Sequence, residues 1–475
     1  MRSRLIRNIS ANIVQQAVNQ VFSLAIFYIL SRQLSKESFG AFNWSLAFLF
    51  TAFNILSFGL DQLTVKKIAS GQETSPVTSL HLLHVLLTGT LFYGLLAICC
   101  QLLQTQPATT FLLALGAGKL LSYFASPFKQ AIAGKEAFSA YAWMSAISNI
   151  VKGSALIIAG TIHIISIPQL VAIFIAGDAA ELAISVLIYF GKKNGIQLTA
   201  GFSAYFGLLA EALPQLGVVI STTLMSRFDW LLIGIIASAT QLAEYSFAYK
   251  VFEVATFPLL VVAPLLIPRF VKYAKGNHSI TEGILAIMRA EMFIAAFIIL
   301  LLNICWAPLM DTVTAGKYGA VNNHTIFILS LSMPFLYANN ILWTDSFAQG
   351  KLHSIFRIIG LTCLVNVAGD CLLIPFLRNE GAAIAYAISQ LIQLILYTRE
   401  NKAIKTKQVI YTVAGSPLCA VFSLLVVKWL ALSLIPALLI GFSLYFLLIA
   451  VNGLLVKKDI RQSVHLLSPD TQLVA

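Results

Sequence analysis

Charge is scarce in this sequence: Asp, Glu, Lys and Arg together make up 11% of its 475 residues. A soluble chain of this length needs far more charge to cover its surface. With 59% hydrophobic residues and a mean hydropathy of +0.85, the composition is that of an integral membrane protein. Acidic residues are rarer still, 19 against 31 basic ones, for a net charge of +12. Cysteine pairs are missing. The six cysteines lie in or beside apolar stretches and form no CxxC, which excludes a disulfide framework or a zinc site and leaves buried packing residues. A cleavable leader is also lacking: the basic Met1–Asn8 runs into a segment too long and too polar, without a small-residue cleavage site, and reads as a retained first helix. Long loops are absent as well. The longest, near 191–209 and 307–323, are too small to fold as domains.

What the chain does have is apolar stretches of about 20 residues, the length that crosses a bilayer as a helix. Fourteen are predicted, near 10–31, 41–63, 79–102, 110–132, 139–161, 168–190, 210–236, 243–268, 284–306, 324–348, 355–376, 381–399, 408–430 and 433–455. Of the 31 Lys and Arg, five (Lys119, Lys152, Arg227, Lys250, Arg289) lie in the interior of these helices. Five more (Arg32, Lys36, Lys317, Arg378, Lys428) fall in one set of connections or at the helix ends beside it, and the remaining 21, Lys129 among them, in or beside the other set. Cytoplasmic loops carry the excess of basic residues, so both termini are expected in the cytoplasm. Anionic lipid headgroups then account for the basic composition without nucleic acid.

The chain is organised around Ser221–Gly234 and Glu244–Glu253, which place Arg227, Asp229, Lys250 and Glu253 inside apolar runs. Each charge at mid-bilayer costs at least about 2.5–3.5 kcal/mol on insertion scales, so four together need a reason. Arg227 and Lys250 lie roughly 12–15 Å below the intervening loop at 1.5 Å per residue, in one layer. Arg227 and Asp229 are two residues apart, about 200° round a helix, and face different spaces; Lys250 and Glu253 share a face. Lys119, Lys152, Asp178 and Glu181 lie at comparable depth, completing a belt of four basic and four acidic residues. Two readings fit that belt: a polar cavity, or a set of structural ion pairs between packed helices. Arg289, Glu291 and Asp345 lie nearer the cytoplasmic helix ends, within reach of the interface by snorkelling. Asp61, just before Lys66 and Lys67, reads as a helix-end residue.

The first segment carries a stripe of Asn8, Asn12, Gln15, Gln16, Asn19, Gln20 and Ser23 at helical spacing. Such a stripe is costly against lipid, so it faces protein or water. A cavity-lining helix is the reading preferred over amide packing between helices. The chain also echoes itself. Gly134-Lys135 recurs as Gly350-Lys351, Asn149–Ile157 resembles Asn366–Ile374, and Gly40–Trp44 more weakly resembles Ala243–Phe247. These offsets suggest two parallel six-helix halves, residues 1–191 and 210–401, joined by a cytoplasmic linker over 192–209. Residues 402–475 add two further helices and a tail. In transporters with internal repeats the substrate site lies between the repeats.

Several stretches carry a resemblance. Arg7-Asn8 enters a Gln-rich first helix, and Leu30–Gly40 follows it; Phe58-Gly-Leu-Asp61 precedes Lys66–Ala69. Arg227-Phe-Asp229 precedes Leu232–Gly234, and Tyr245–Lys250 opens the next segment. Asn366, Asp370, Ile374-Pro375 and Gly381–Ala385 follow in order. In this order the chain resembles, along nearly its whole length, the Wzx-type polysaccharide flippases of the multidrug/oligosaccharidyl-lipid/polysaccharide exporter superfamily. The resemblance implies an all-α membrane protein of MATE/MurJ-like fold, two pseudo-symmetric lobes alternating access about a cationic cavity. It implies transfer of an undecaprenyl-pyrophosphate-linked oligosaccharide across the bacterial inner membrane, for O-antigen, capsule or exopolysaccharide synthesis. Substrate contacts are then expected from Arg227 and Lys250, with Lys119, Lys152, Gln16 and Asn19 added by depth and by the polar stripe. The balancing Asp178, Glu181, Asp229 and Glu253 are the candidates for coupling to H⁺ or Na⁺. No cofactor or metal is expected. The partners are the lipid-linked substrate, membrane lipids and other polysaccharide assembly proteins, and the chain is expected to be a monomer. A cation-coupled drug exporter of the same superfamily shares these features. A membrane polysaccharide polymerase fits less well, because His163 and His324 are isolated and the outer loops short.

Overall fold

The computed structural model describes the chain apart from residues 1, 103–106, 163–164, 198–200, 257, 260–265, 267–269, 271–280, 402–403, 455–458 and 460–475, and apart from the side chains of 2–14, 107–108 and 162. Every regular element among the described residues is a helix. By packing they form two units, Met1–Ala243 and Glu244–Ala475. Among the described residues eleven helices are long and apolar enough to cross a membrane. One of these, Leu352–Glu400, is two spans merged across a break at Arg378, and Arg2–Gln33 and Ala239–Ala255 lie where the first and eighth of the fourteen spans are expected. The protein is a multi-pass membrane protein.

The first unit contains α1 (Arg2–Gln33), α2 (Lys36–Leu56), α3 (Leu60–Ala69), α4 (Thr74–Leu102), α5 (Pro107–Gly134), α6 (Phe138–Ile162), α7 (Ile167–Gly191) and α8 (Phe202–Leu232). Ser35 caps α2 by accepting the Ser38 N–H at 3.1 Å. The second expected segment is not continuous. Phe58 (φ 55°) and Gly59 (φ 75°) turn left-handed and divide it into α2 and α3. Glycine serves twice over at that turn, because a Cβ on Gly59 would also lie 2.6 Å from Gln215 Cβ of α8. α8 runs beside α2. The Trp44 indole donates to the Leu231 carbonyl at 3.1 Å, and a Cβ on Gly40 would overlap the Ala239 carbonyl. α8 ends in a π-helical turn, Ile233–Ala237, where Gly234 lets the Trp44 ring approach the backbone. α1 packs on α6, and α7 packs on both α5 and α6.

α9 (Ala239–Ala255) leads into the second unit, and the end of the eighth expected segment lies largely outside the described residues. α10 (Thr281–Thr314) is longer than the sequence suggests. It closes in a turn through Ala315 (φ 53°) and Gly316 (φ 77°), where Asp311 accepts the Gly319 N–H at 2.8 Å. α11 (Asn323–Leu331) and α12 (Met333–Ala348) together make one span. α13 (Leu352–Glu400) breaks at Arg378 (φ 51°, ψ −123°); Gly381 sits so close to the preceding limb that a Cβ there would be 2.5 Å from the Leu373 carbonyl. α14 (Thr406–Trp429) and α15 (Leu434–Val451) close this unit around Ala296, Leu300, Ala420, Leu424 and Tyr445.

Candidate functional site

The charged interior of the first unit is built on helix periodicity. Lys119, Ser122, Ser126 and Lys129 fall on one face of α5, and Asp178 and Glu181 on one face of α7. Packing α5 against α7 brings these faces together. Lys152 of α6 lies 2.6 Å from Asp178 Oδ1, which also accepts from the Ser148 hydroxyl at 3.0 Å, and the lysine rests 5.0 Å from the Phe174 ring centre. One turn along α7, Glu181 is paired with Lys129 and accepts from Ser122 at 3.0 Å. Both carboxylates are buried. Each lysine offsets the cost of dehydrating its carboxylate, which is what charged side chains inside a membrane span require. Lys119 is half-buried, within electrostatic reach of Asp178 and Lys152, and makes no direct ion pair among the described residues.

This arrangement corrects the charge count at one place. Lys129 is not a loop residue: it sits within α5 with its side chain 17% exposed, held by Glu181. Sequence spacing misses it because it lies close to a helix end, and only the fold places an acid opposite. The same holds for Asp61, which the sequence assigns to a helix end. It opens α3, but it accepts from Ser126 and lies 3.7 Å from His81 Nε2. His81 in turn meets Thr64 at 3.0 Å, and His84 bridges the Tyr205 hydroxyl (2.9 Å) and the Leu56 carbonyl (2.8 Å). This ties α4 to the start of α8.

Arg227 differs from the lysines. It is half-buried on α8, with its guanidinium 4.6 Å from the Trp230 ring and 5.7 Å from Phe50, and it donates to the Ser226 carbonyl at 2.7 Å. Among the described residues no carboxylate pairs with it. Stacking on aromatic faces holds the fork without occupying it, so its remaining donors stay available to an anion. Asp229 is buried, and its Oδ1 accepts the Trp230 N–H at 2.8 Å. The two residues occupy different surroundings, as their spacing requires.

In the second unit Lys250 and Glu253 form an i,i+3 pair at 2.7 Å on α9. On α1, Asn19 accepts from the Asn149 amide of α6 at 3.0 Å, and Gln16 is half-buried. The side chains of Asn8 and Asn12 lie outside the described residues. Farther along α1, a 690 Å³ cavity opens against α6, lined by Tyr28, Arg32, Gln33, Gly160 and Thr161. The stripe is therefore part amide packing at Asn19, and beyond it α1 borders open space. Among the described residues no cluster of three or more His, Cys, Asp or Glu is disposed to hold a metal.

This helical bundle recurs among solved membrane proteins. Over 92% of this chain and 98% of the other, it matches lipid II flippase MurJ in an inward closed conformation, with a TM-score of 0.75 at 13% identity. It also matches the MATE transporter VcmN of Vibrio cholerae (TM-score 0.58, 13% identity, 84% and 98% of the two chains). A transporter from Pyrococcus furiosus described as belonging to the MOP superfamily, with a binding pocket of reverse polarity, matches at a TM-score of 0.59 (11% identity, 84% and 95%). No curated protein sequence matches the chain. Residues 5–274 match the family described as polysaccharide biosynthesis protein, and the chain belongs to that family.

Proposed function

We propose that this protein is a flippase that moves an undecaprenyl-pyrophosphate-linked oligosaccharide from the cytoplasmic to the outer leaflet of the bacterial inner membrane, supplying surface polysaccharide synthesis. The observation that carries this reading is Arg227, a half-buried cation within a membrane helix, held by aromatic faces and without a carboxylate partner among the described residues. A pyrophosphate crossing a low-dielectric core needs fixed positive groups to replace its hydration, and a guanidinium fork suits phosphate oxygens. The family membership and the fold shared with a lipid II flippase support the same substrate class. Arg227, Lys250 and Lys119 are the substrate contacts in this reading, and Lys152 secures Asp178. The halves 1–191 and 210–401 act as the moving lobes, both termini are cytoplasmic, and the protein catalyses no bond chemistry. A cation-coupled drug exporter is the second reading, favoured by the fold shared with MATE transporters.

Reconstituted protein separates the two. Proteoliposomes should translocate a fluorescent lipid-linked oligosaccharide and fail to accumulate cationic dyes. Dye transport without lipid translocation would reject the flippase assignment.

A further inference from the structure

Glu291 stands apart from the paired acids of the first unit. It lies ten residues into α10, roughly 15 Å along the helix from Thr281, in the interior of a span. The sequence places it near enough to an interface to snorkel, yet its residue is only 4% exposed and both carboxylate oxygens are shielded from solvent. Among the described residues neither oxygen has a hydrogen-bond partner. Its neighbour Arg289 points elsewhere, to Asp459 at 2.5 Å. Facing Glu291 from α12 is Tyr337, also buried, whose hydroxyl likewise has no partner among the described residues and lies within electrostatic reach of the carboxyl.

The other titratable groups on helices packed against α10 are engaged or displaced. Asp345 accepts from Gln349 (2.8 Å) and Asn401 (2.7 Å), Tyr445 donates to the Phe293 carbonyl at 3.0 Å, and Lys428 lies over Phe327. Cys419 belongs to the apolar core, whereas Tyr411, Lys407 and His324 are exposed.

A bare carboxylate in such a place is not sustainable: desolvation without a compensating partner costs several kcal/mol or more, and the group must acquire positive charge from somewhere. Hard cations such as calcium and magnesium take about six or more oxygen ligands, and two carboxylate oxygens with one phenol fall well short. The remaining occupant is a proton. We propose that Glu291 is a proton-binding site of the second unit: it takes a proton from water before α10 and α12 close over it, holds it while they are packed, and gives it back to water when they part. An O–H bond forms on one carboxylate oxygen, the site passes from −1 to neutral, and the proton returns to water on opening. The assignment concerns the proton alone and does not depend on the identity of the transported lipid.

Infrared difference spectroscopy on the full-length protein in nanodiscs, wild type against E291Q, tests it directly. At neutral pH the wild type should show the carbonyl stretch of a protonated carboxylic acid, lost in E291Q. Raising the pH should abolish that band and increase hydrogen–deuterium exchange in α10 and α12 of the wild type, with neither change in E291Q. E291L, neutral and apolar, provides the same comparison if E291Q does not fold. If the substitution removes only ionised-carboxylate bands at neutral pH, the proposal is wrong. Exchange that responds to pH equally in wild type and variant overturns it too.

Discussion

The Lys152 ammonium lies 2.6 Å from the Asp178 carboxylate, both side chains almost wholly buried between α6 and α7. A lysine and an acid 26 residues apart in sequence thus neutralise each other inside the bundle. Removing one partner strands the other. Lys152→Met or Asp178→Leu alone is therefore expected to destabilise the first unit by about 3–5 kcal/mol, whereas the double substitution should recover most of that loss. Thermal unfolding in detergent reads both effects. Equal destabilisation by the single and double variants would show that the pair is not the relevant interaction.

Arg227 is held by rings and not by an acid, so its substitution should cost function more than folding. Arg227→Lys keeps the charge and loses the fork; it should transport at an intermediate rate. Arg227→Ala should lose roughly 10-fold or more, corresponding to the about 1.5–3 kcal/mol of a charge-assisted hydrogen bond. Both should reach the membrane at normal abundance. Asp229→Asn, in its separate buried setting, should lower abundance if the carboxylate is structural, or alter pH or sodium dependence if it couples an ion, with substrate binding retained. Surface polysaccharide export at the wild-type rate by Arg227→Ala would remove this residue from the site.

The close approach of α2 to α8 rests on a glycine and an indole. Gly40→Ala puts a methyl into the Ala239 carbonyl and should cost about 1–3 kcal/mol through overpacking. Trp44→Phe keeps most of the ring contact but forfeits the bond to the Leu231 carbonyl, about 0.5–1.5 kcal/mol. Unfolding midpoints should therefore fall in the order wild type, Trp44→Phe, Gly40→Ala. The reverse order would mean that the indole bond, and not the close approach, dominates the contact.

Orientation is testable by labelling. In a cysteine-free background, Leu5→Cys and His465→Cys should resist an impermeant thiol reagent applied to intact spheroplasts, and Val321→Cys should react. Labelling of His465→Cys would place the carboxy terminus outside and overturn the even number of spans.

Much of this protein is determined by local sequence. The bilayer demands about 20 apolar residues per helix, so the spans are countable from hydropathy, and α11 with α12 still reads as one crossing despite its break. Helix periodicity likewise separates Arg227 from Asp229 and sets Asp178 beside Glu181 on one face. The partnerships are another matter. Whether Glu181 faces a cation depends on which face of α5 packs on α7, and nothing in the local pattern of α7 carries that information. Lys129, close to a helix end, becomes a buried counter-ion for that reason, whereas Glu291, close enough to an interface to snorkel, is enclosed by α10's neighbours and left unpaired. The left-handed residue Phe58 is a similar case: it is not a glycine, and no turn signal at its own position outweighs the flanking apolar runs, whereas the break at Arg378 falls in the gap between two expected spans. Periodicity determines which side chains share a helix face, but only the packing of one helix on another decides what that face meets.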